Sequence, residues 1–84
     1  MTTDLQQVIR VRIASIAPWR CANPSAARHY AGMLRAGNKL PPIWVIRQSA
    51  RSAYRYRLFD GFHRARAARL AGRKVIDAVV IASD

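Results

Sequence analysis

The segment that most constrains this chain is Leu58-Phe59-Asp60-Gly61-Phe62-His63-Arg64-Ala65-Arg66-Ala67-Ala68-Arg69-Leu70-Ala71-Gly72. A β-rich run over residues 54–59 is broken by Asp60-Gly61 and gives way at once to an alanine- and arginine-rich stretch that Gly72 stops. The reading is a strand joined tightly to a helix, with a glycine and two potentially cationic side chains, His63 and Arg64, at the helix mouth. A helix N-terminus presents unpaired N–H groups and a partial positive charge. A glycine just before it lets a phosphate approach the backbone, so the junction is a competent anion cradle.

The rest of the chain supplies the layers around that junction. Residues 8–13 alternate, with Ile9, Val11 and Ile13 on one face and Val8, Arg10 and Arg12 on the other, which predicts a half-buried strand. Residues 14–22, with Pro18 and Trp19, read as a loop. Asn23-Pro24 then supplies an N-cap and a first-turn proline, and Gly37 can close a helix over residues 24–36. Its spacing puts Ala27, Tyr30, Ala31 and Leu34 on a core face suited to covering a sheet. Pro41-Pro42 forbids helix and leads into the apolar run Ile43-Trp44-Val45-Ile46, a buried strand, and residues 75–81 make a last one. The order is β-α-β-β-α-β in a single small α+β domain over residues 1–84, the helices packed on a mixed sheet and residues 1–7 expected to be flexible.

Eighty-four residues make one domain, and a chain this short buries only about 60–65% of the surface it exposes when unfolded. Fifteen Lys and Arg oppose four Asp and no Glu, a net charge of +11 that makes a polyanion the natural partner class. All but Lys39 and Lys74 of these cations are arginines, whose planar fork suits phosphate, although a GC-rich genome also enriches Arg over Lys. Cys21 has no partner for an intrachain disulfide or a cysteine metal site, which fits a reducing cytoplasm. No stretch approaches the run of about eighteen apolar residues that a membrane span needs.

Advancing about 100° per residue from Phe62, Ala67, Ala68, Leu70 and Ala71 form the apolar arc of the second helix. His63 and Arg64 fall inside that arc and Arg66 and Arg69 outside it. A charged residue on a core arc is tolerated at a helix end, where it can reach a partner or a cavity, so Arg64 is expected to face a pocket. Arg66 and Arg69 read as a solvated face that, with Arg73 and Lys74, could track a nucleic-acid backbone. Arg55 and Arg57 form a second exposed pair on the strand before the helix. Asp60 could hold a metal on a bound nucleotide or orient His63, but Asp-Gly is also a common turn, and His63 could equally be a phosphate donor, a proton shuttle or a structural histidine.

The pattern Phe59-Asp60-Gly61-Phe62-His63-Arg64, followed by Ala67-Ala68, Leu70-Ala71-Gly72 and a β-rich end, resembles the central motif of the ParB/sulfiredoxin family. That place reads Gly-Glu-Arg-Arg in partition proteins and Gly-Cys-His-Arg in sulfiredoxins. The resemblance extends over Val11-Arg12-Ile13, the Ile16-Ala17-Pro18 turn and residues 37–43, nearly the whole chain. It implies a nucleoside triphosphate, CTP or ATP with Mg²⁺, held by Gly61, Phe62, His63 and Arg64. Departures limit what carries over. The sulfiredoxin nucleophile and the partition-protein Glu are both Phe62 here, and Cys21 is expected to lie far away, in the Pro18 loop. Sulfiredoxin chemistry is therefore not expected; with no Glu in the chain a carboxylate base could come only from Asp60 or Asp77, and Asp60 with His63 are the candidate catalytic groups if nucleotide hydrolysis occurs.

The leading expectation is a nucleotide-binding ParB-like module that works on or near nucleic acid, in plasmid or chromosome partition or mobile-element maintenance, as a homodimer or beside a larger partner. A metal-dependent nuclease built on Asp60 and His63, a non-enzymatic electrostatic binder of DNA or RNA, and a small-molecule kinase are the alternatives. The helix-turn-helix and dimerisation segments of partition proteins have no room before Asp84, so site-specific DNA reading is not expected of these residues alone.

Overall fold

A computed structural model describes residues 7–84; the flexible start expected over residues 1–7 lies, apart from exposed Gln7, outside them. The elements are β1 (Val8–Arg12), α1 (Pro24–Arg35), β2 (Ile43–Arg47), β3 (Tyr56–Asp60), α2 (Phe62–Leu70) and β4 (Val75–Ser83), in the expected order. A 3₁₀ turn, Ile13–Ser15, ends the first strand one residue early, and Ile13 remains buried. The third strand starts at Tyr56 rather than at residue 54, which leaves Tyr54 exposed in the turn, while the last strand runs on to Ser83.

The four strands form one mixed sheet in the order β1-β4-β2-β3. β4 lies in the middle, antiparallel to β1 and parallel to β2, and β3 returns antiparallel along β2. Arg12 pairs with Val75 on one edge strand, yet Ile16 already bridges Tyr56 on the other edge strand, and the Ala17 N–H donates to the Tyr56 carbonyl at 2.8 Å. Four residues reach at most about 14 Å, so the sheet curls strongly to bring its edges together. Val11, Ile16, Ile43, Val45, Tyr56, Leu58 and Ala78 fill the inside of that curl, and Ala65 of α2 closes it. Ile16, Ile43 and Val45 are its largest fully enclosed side chains. At about 25 cal/mol per Å² of apolar surface removed from water, they and their neighbours supply the main favourable term of a small core.

Both helices lie on the same face of the sheet, with α2 against β2 and β4, and α1 making its principal contact with α2. That arrangement corrects the helical-wheel reading. α2 buries two flanks, toward the sheet and toward α1, so Ala65, Ala67 and Ala68 are enclosed, whereas Leu70 at its last turn is 43% exposed and Ala71 half-buried. On α1 the enclosed residues are Ala27 and Ala31, while Tyr30 and Leu34 are half-buried. The alanines on both partners allow a close approach of the two backbones, since helix separation follows the size of the side chains between them.

Candidate functional site

The junction between β3 and α2 is built around Gly61. Its φ is 99°, a left-handed conformation that L side chains adopt only at a cost, and a Cβ placed there would lie 2.8 Å from Ile43 Cγ2 and 3.0 Å from Arg64 Nη2. The sequence reading assigned the glycine to phosphate approach; the structure adds that its Cα packs on the core and on the Arg64 guanidinium. No side chain caps the first turn of α2. The amide groups of that turn therefore have no side-chain acceptor of their own.

The two side chains after Phe62 diverge. His63 turns toward α1, where its Nε2 accepts a hydrogen bond from the Asn23 N–H at 3.2 Å. Asn23 is the N-cap of α1, with its Oδ1 accepting from the Ala26 N–H at 3.1 Å, so His63 ties the two helix N-termini together. Arg64 turns the other way, donating from Nη2 to the Pro42 carbonyl at 3.1 Å, while its Nε is enclosed with no hydrogen-bond partner. Phe62, at the position of the family's Glu or Cys, is partly exposed.

Arg64 lines a cavity of about 350 Å³, at the lower end of the range for small-molecule sites. The cavity runs along α2 past Ala68 to Arg73 and is bounded by Lys39 and Pro41 from the α1–β2 connection and by Arg10 and Asp77 from the sheet. β2 joins β4 only from Ala78 onward, so Val75, Ile76 and Asp77 have ladder partners on the β1 side alone and leave that end of the sheet open. Four cations and one carboxylate line the space, and the carboxylate, Asp77, already faces Arg10 at 3.8 Å. Anions are favoured there.

The helices run side by side in the same direction, as contacts at both ends show. At the far end Arg35 donates to the Leu70 carbonyl at 2.8 Å, and Arg73 donates to the Leu34 carbonyl at 3.2 Å. Each helix thus receives at its negative end an arginine from the end of the other, Arg35 being the last residue of α1 and Arg73 lying just past α2, and both positive ends meet beside His63 and Asn23. The pairing of two N-termini was not legible in the sequence, because nothing local links Asn23 to His63, forty residues away.

The remaining candidates are distributed over three places. Arg66 and Arg69 lie over the Trp19 ring, at 5.9 and 4.8 Å from its centroid; Arg69 is exposed, as a solvated face requires, whereas Arg66 is half-buried. Arg73 belongs to the cavity and the end of α1, with exposed Lys74 beside it. Arg55 sits at the β2–β3 turn, and Arg57 faces Asp84 at 3.7 Å. Trp19 is the functional candidate that sequence reading missed, since a tryptophan in a loop gives no local sign of the arginines it will carry. Cys21, expected to be distant, lies two residues from Asn23 and donates to its carbonyl at 3.6 Å, so its loop abuts the start of α2. Asp60 is exposed, and among the described residues no three His, Cys, Asp or Glu side chains cluster as a metal site. Among them, too, no helix is long and apolar enough to cross a membrane.

Comparison with solved structures supports the fold. The chain superposes on sulfiredoxin from Arabidopsis thaliana with a TM-score of 0.71 and 20% identity, covering 92% of this chain and 88% of that one. It superposes on the C-terminally truncated chromosome-partitioning protein ParB from Caulobacter crescentus, complexed with CTP-gamma-S, with a TM-score of 0.74 and 25% identity. That match covers 93% of this chain but 46% of the ParB chain. A conserved hypothetical protein from Pyrococcus furiosus gives a TM-score of 0.74 at 13% identity, with 98% and 35% covered. No curated protein matches the sequence. The model of the ParB N-terminal domain family, however, matches residues 2–84, and with the β-α-β-β-α-β order and the glycine-led α2 this establishes that the chain belongs to the ParB N-terminal domain family.

Proposed function

We propose that this domain binds a nucleoside triphosphate at the start of α2, with phosphate contacts from the Gly61–Arg64 turn, and that it works on or near nucleic acid. The observation that carries this reading is the enclosed, unpartnered Nε of Arg64, on a side chain that lies against Gly61 and lines the cationic cavity. A buried guanidinium N–H without an acceptor is costly, and a phosphate oxygen is the acceptor for which a guanidinium is best shaped. Convergence of the two helix N-termini adds a second source of positive potential at the Gly61–Arg64 turn. The ParB of Caulobacter crescentus, to which this chain is similar, was crystallised with a CTP analogue.

The donor set fits a nucleotide carried with Mg²⁺. Mg²⁺ keeps most of its waters and uses few protein carboxylates, so Asp60, adjoining the turn, is sufficient protein help. The ion would neutralise phosphate charge when bound. Gly61, His63 and Arg64 orient the phosphates, His63 through Nδ1 while its Nε2 stays with Asn23. A nuclease would need more than Asp60 and His63 to hold its metal, which leaves binding as the reading with more support.

The test is titration with CTP, ATP and GTP in the presence of Mg²⁺, beside Arg64→Ala and Arg64→Lys variants whose folds are checked by circular dichroism. Saturable binding is expected for the wild type, with at least a tenfold loss in Arg64→Ala and no full recovery in Arg64→Lys, because lysine lacks the planar fork. Absence of binding by all three nucleotides would refute the proposal.

A further inference from the structure

The face of the sheet turned away from the helices carries a feature that the nucleotide site does not use. Strand alternation sends Ile9, Val11, Ile43, Val45, Tyr56 and Leu58 inward. Their neighbours point outward, and four of them form one row across all four strands. Val8 pairs with Val79, Val79 pairs with Trp44, and Trp44 lies beside Phe59. Val8 is 54%, Trp44 43% and Phe59 52% exposed, while Val79 between Val8 and Trp44 is buried at 7%, so the accessible part of the row is Val8 on one side and the Trp44–Phe59 pair on the other.

A β-bulge interrupts the ladder beside the row, and strand alternation keeps Phe59 on the outer face with Arg57. Trp44 pairs with Asp60 and Val45 with Leu58, so Phe59 is an extra residue in β3 that lies beside Trp44 without a ladder partner of its own. The Phe59 and Trp44 rings lie nearly parallel, 18° apart, with centroids separated by 6.5 Å. Arg12 flanks the row on β1 and Arg57 on β3, whereas Arg10 belongs to the cavity. Arg57 is held by an exposed ion pair of 3.7 Å to Asp84, which contributes little and yields readily to a phosphate.

We infer that this outer face is a stacking platform for single-stranded nucleic acid, with Trp44 and Phe59 receiving unpaired bases and Arg12 and Arg57 following the backbone. Aromatic rings on adjacent strands of a four-stranded sheet, with cations around them, hold bases in several unrelated single-strand binders. A duplex keeps its bases stacked inside and cannot offer them to the rings. A second copy of this chain is the competing occupant of an apolar row, but it would bring +11 against +11, whereas a polyanion is attracted. The inference deepens the nucleic-acid part of the proposed function and is independent of nucleotide binding at Arg64.

The experiment is fluorescence anisotropy with a labelled twenty-nucleotide oligothymidine and with a duplex of the same length, over a series of salt concentrations. Wild-type protein should prefer the single strand. Trp44→Ala and Phe59→Ala should each weaken that binding about five- to 150-fold while leaving the salt slope unchanged, because no charge is removed. In a Trp19→Phe background, Trp44 emission should be quenched on saturation, and Trp44→Ala should bind nucleotide as the wild type does. Arg64→Ala should bind the oligonucleotide normally, which separates failure here from failure of the nucleotide site. Single-strand affinity unchanged in both aromatic variants would overturn the inference. So would sedimentation showing a wild-type dimer that Trp44→Ala dissolves, since the row would then be occupied by a second copy.

Discussion

At the scale of single residues, Gly61 and its two cationic neighbours perform separate tasks within one turn. Gly61→Ala meets both the left-handed φ and the 2.8 Å approach to Ile43, so a loss of at least about 2 kcal/mol is expected in urea unfolding. His63→Ala removes the acceptor of the Asn23 N–H and should cost about 1 kcal/mol, while loosening the start of α1 as read by amide exchange. Arg64 was legible in the sequence as a charged side chain on a core arc, which demands a cavity or a partner, and the structure contains both. His63 was only half legible. Its first-turn position was evident, but its bond to a residue forty positions earlier depends on helix packing that no local pattern encodes.

At the scale of elements, the sequence periods located every strand and helix, and the errors fell where one element serves two neighbours. Leu70 was assigned to the core of α2 because a wheel assumes a single buried stripe, whereas α2 buries alanines toward both the sheet and α1. The stacking of Phe59 on Trp44 was not legible either, because it depends on the pairing of β2 with β3 and on a bulge that leaves no trace in β3 alone. Two helices aligned in the same direction repel each other at their ends. Arg35 and Arg73 offset this by capping each other's helix, so Arg35→Ala and Arg73→Ala should each cost about 1 kcal/mol and lower the midpoint of thermal unfolding by roughly 4–8 °C.

At the scale of the whole molecule, the charge of +11 was legible but its distribution was not, because eight of the thirteen arginines are divided among Trp19, the cavity, the helix ends and the outer face. The mixed sheet was foreseeable from six alternating elements, but its strand order was not, since pairing between distant strands is decided by the curl. That order carries a consequence for synthesis. β4, residues 75–83, is the strand on which both β1 and β2 pair. A nascent chain emerging from the ribosome therefore holds a lone strand and a β2–β3 hairpin with no common neighbour, and neither is stable by itself. A chain ended after Lys74 should show no cooperative unfolding transition in circular dichroism. Folding during translation must wait until residues 75–83 have left the exit tunnel, and until then the apolar strands are exposed to whatever chaperone meets them first.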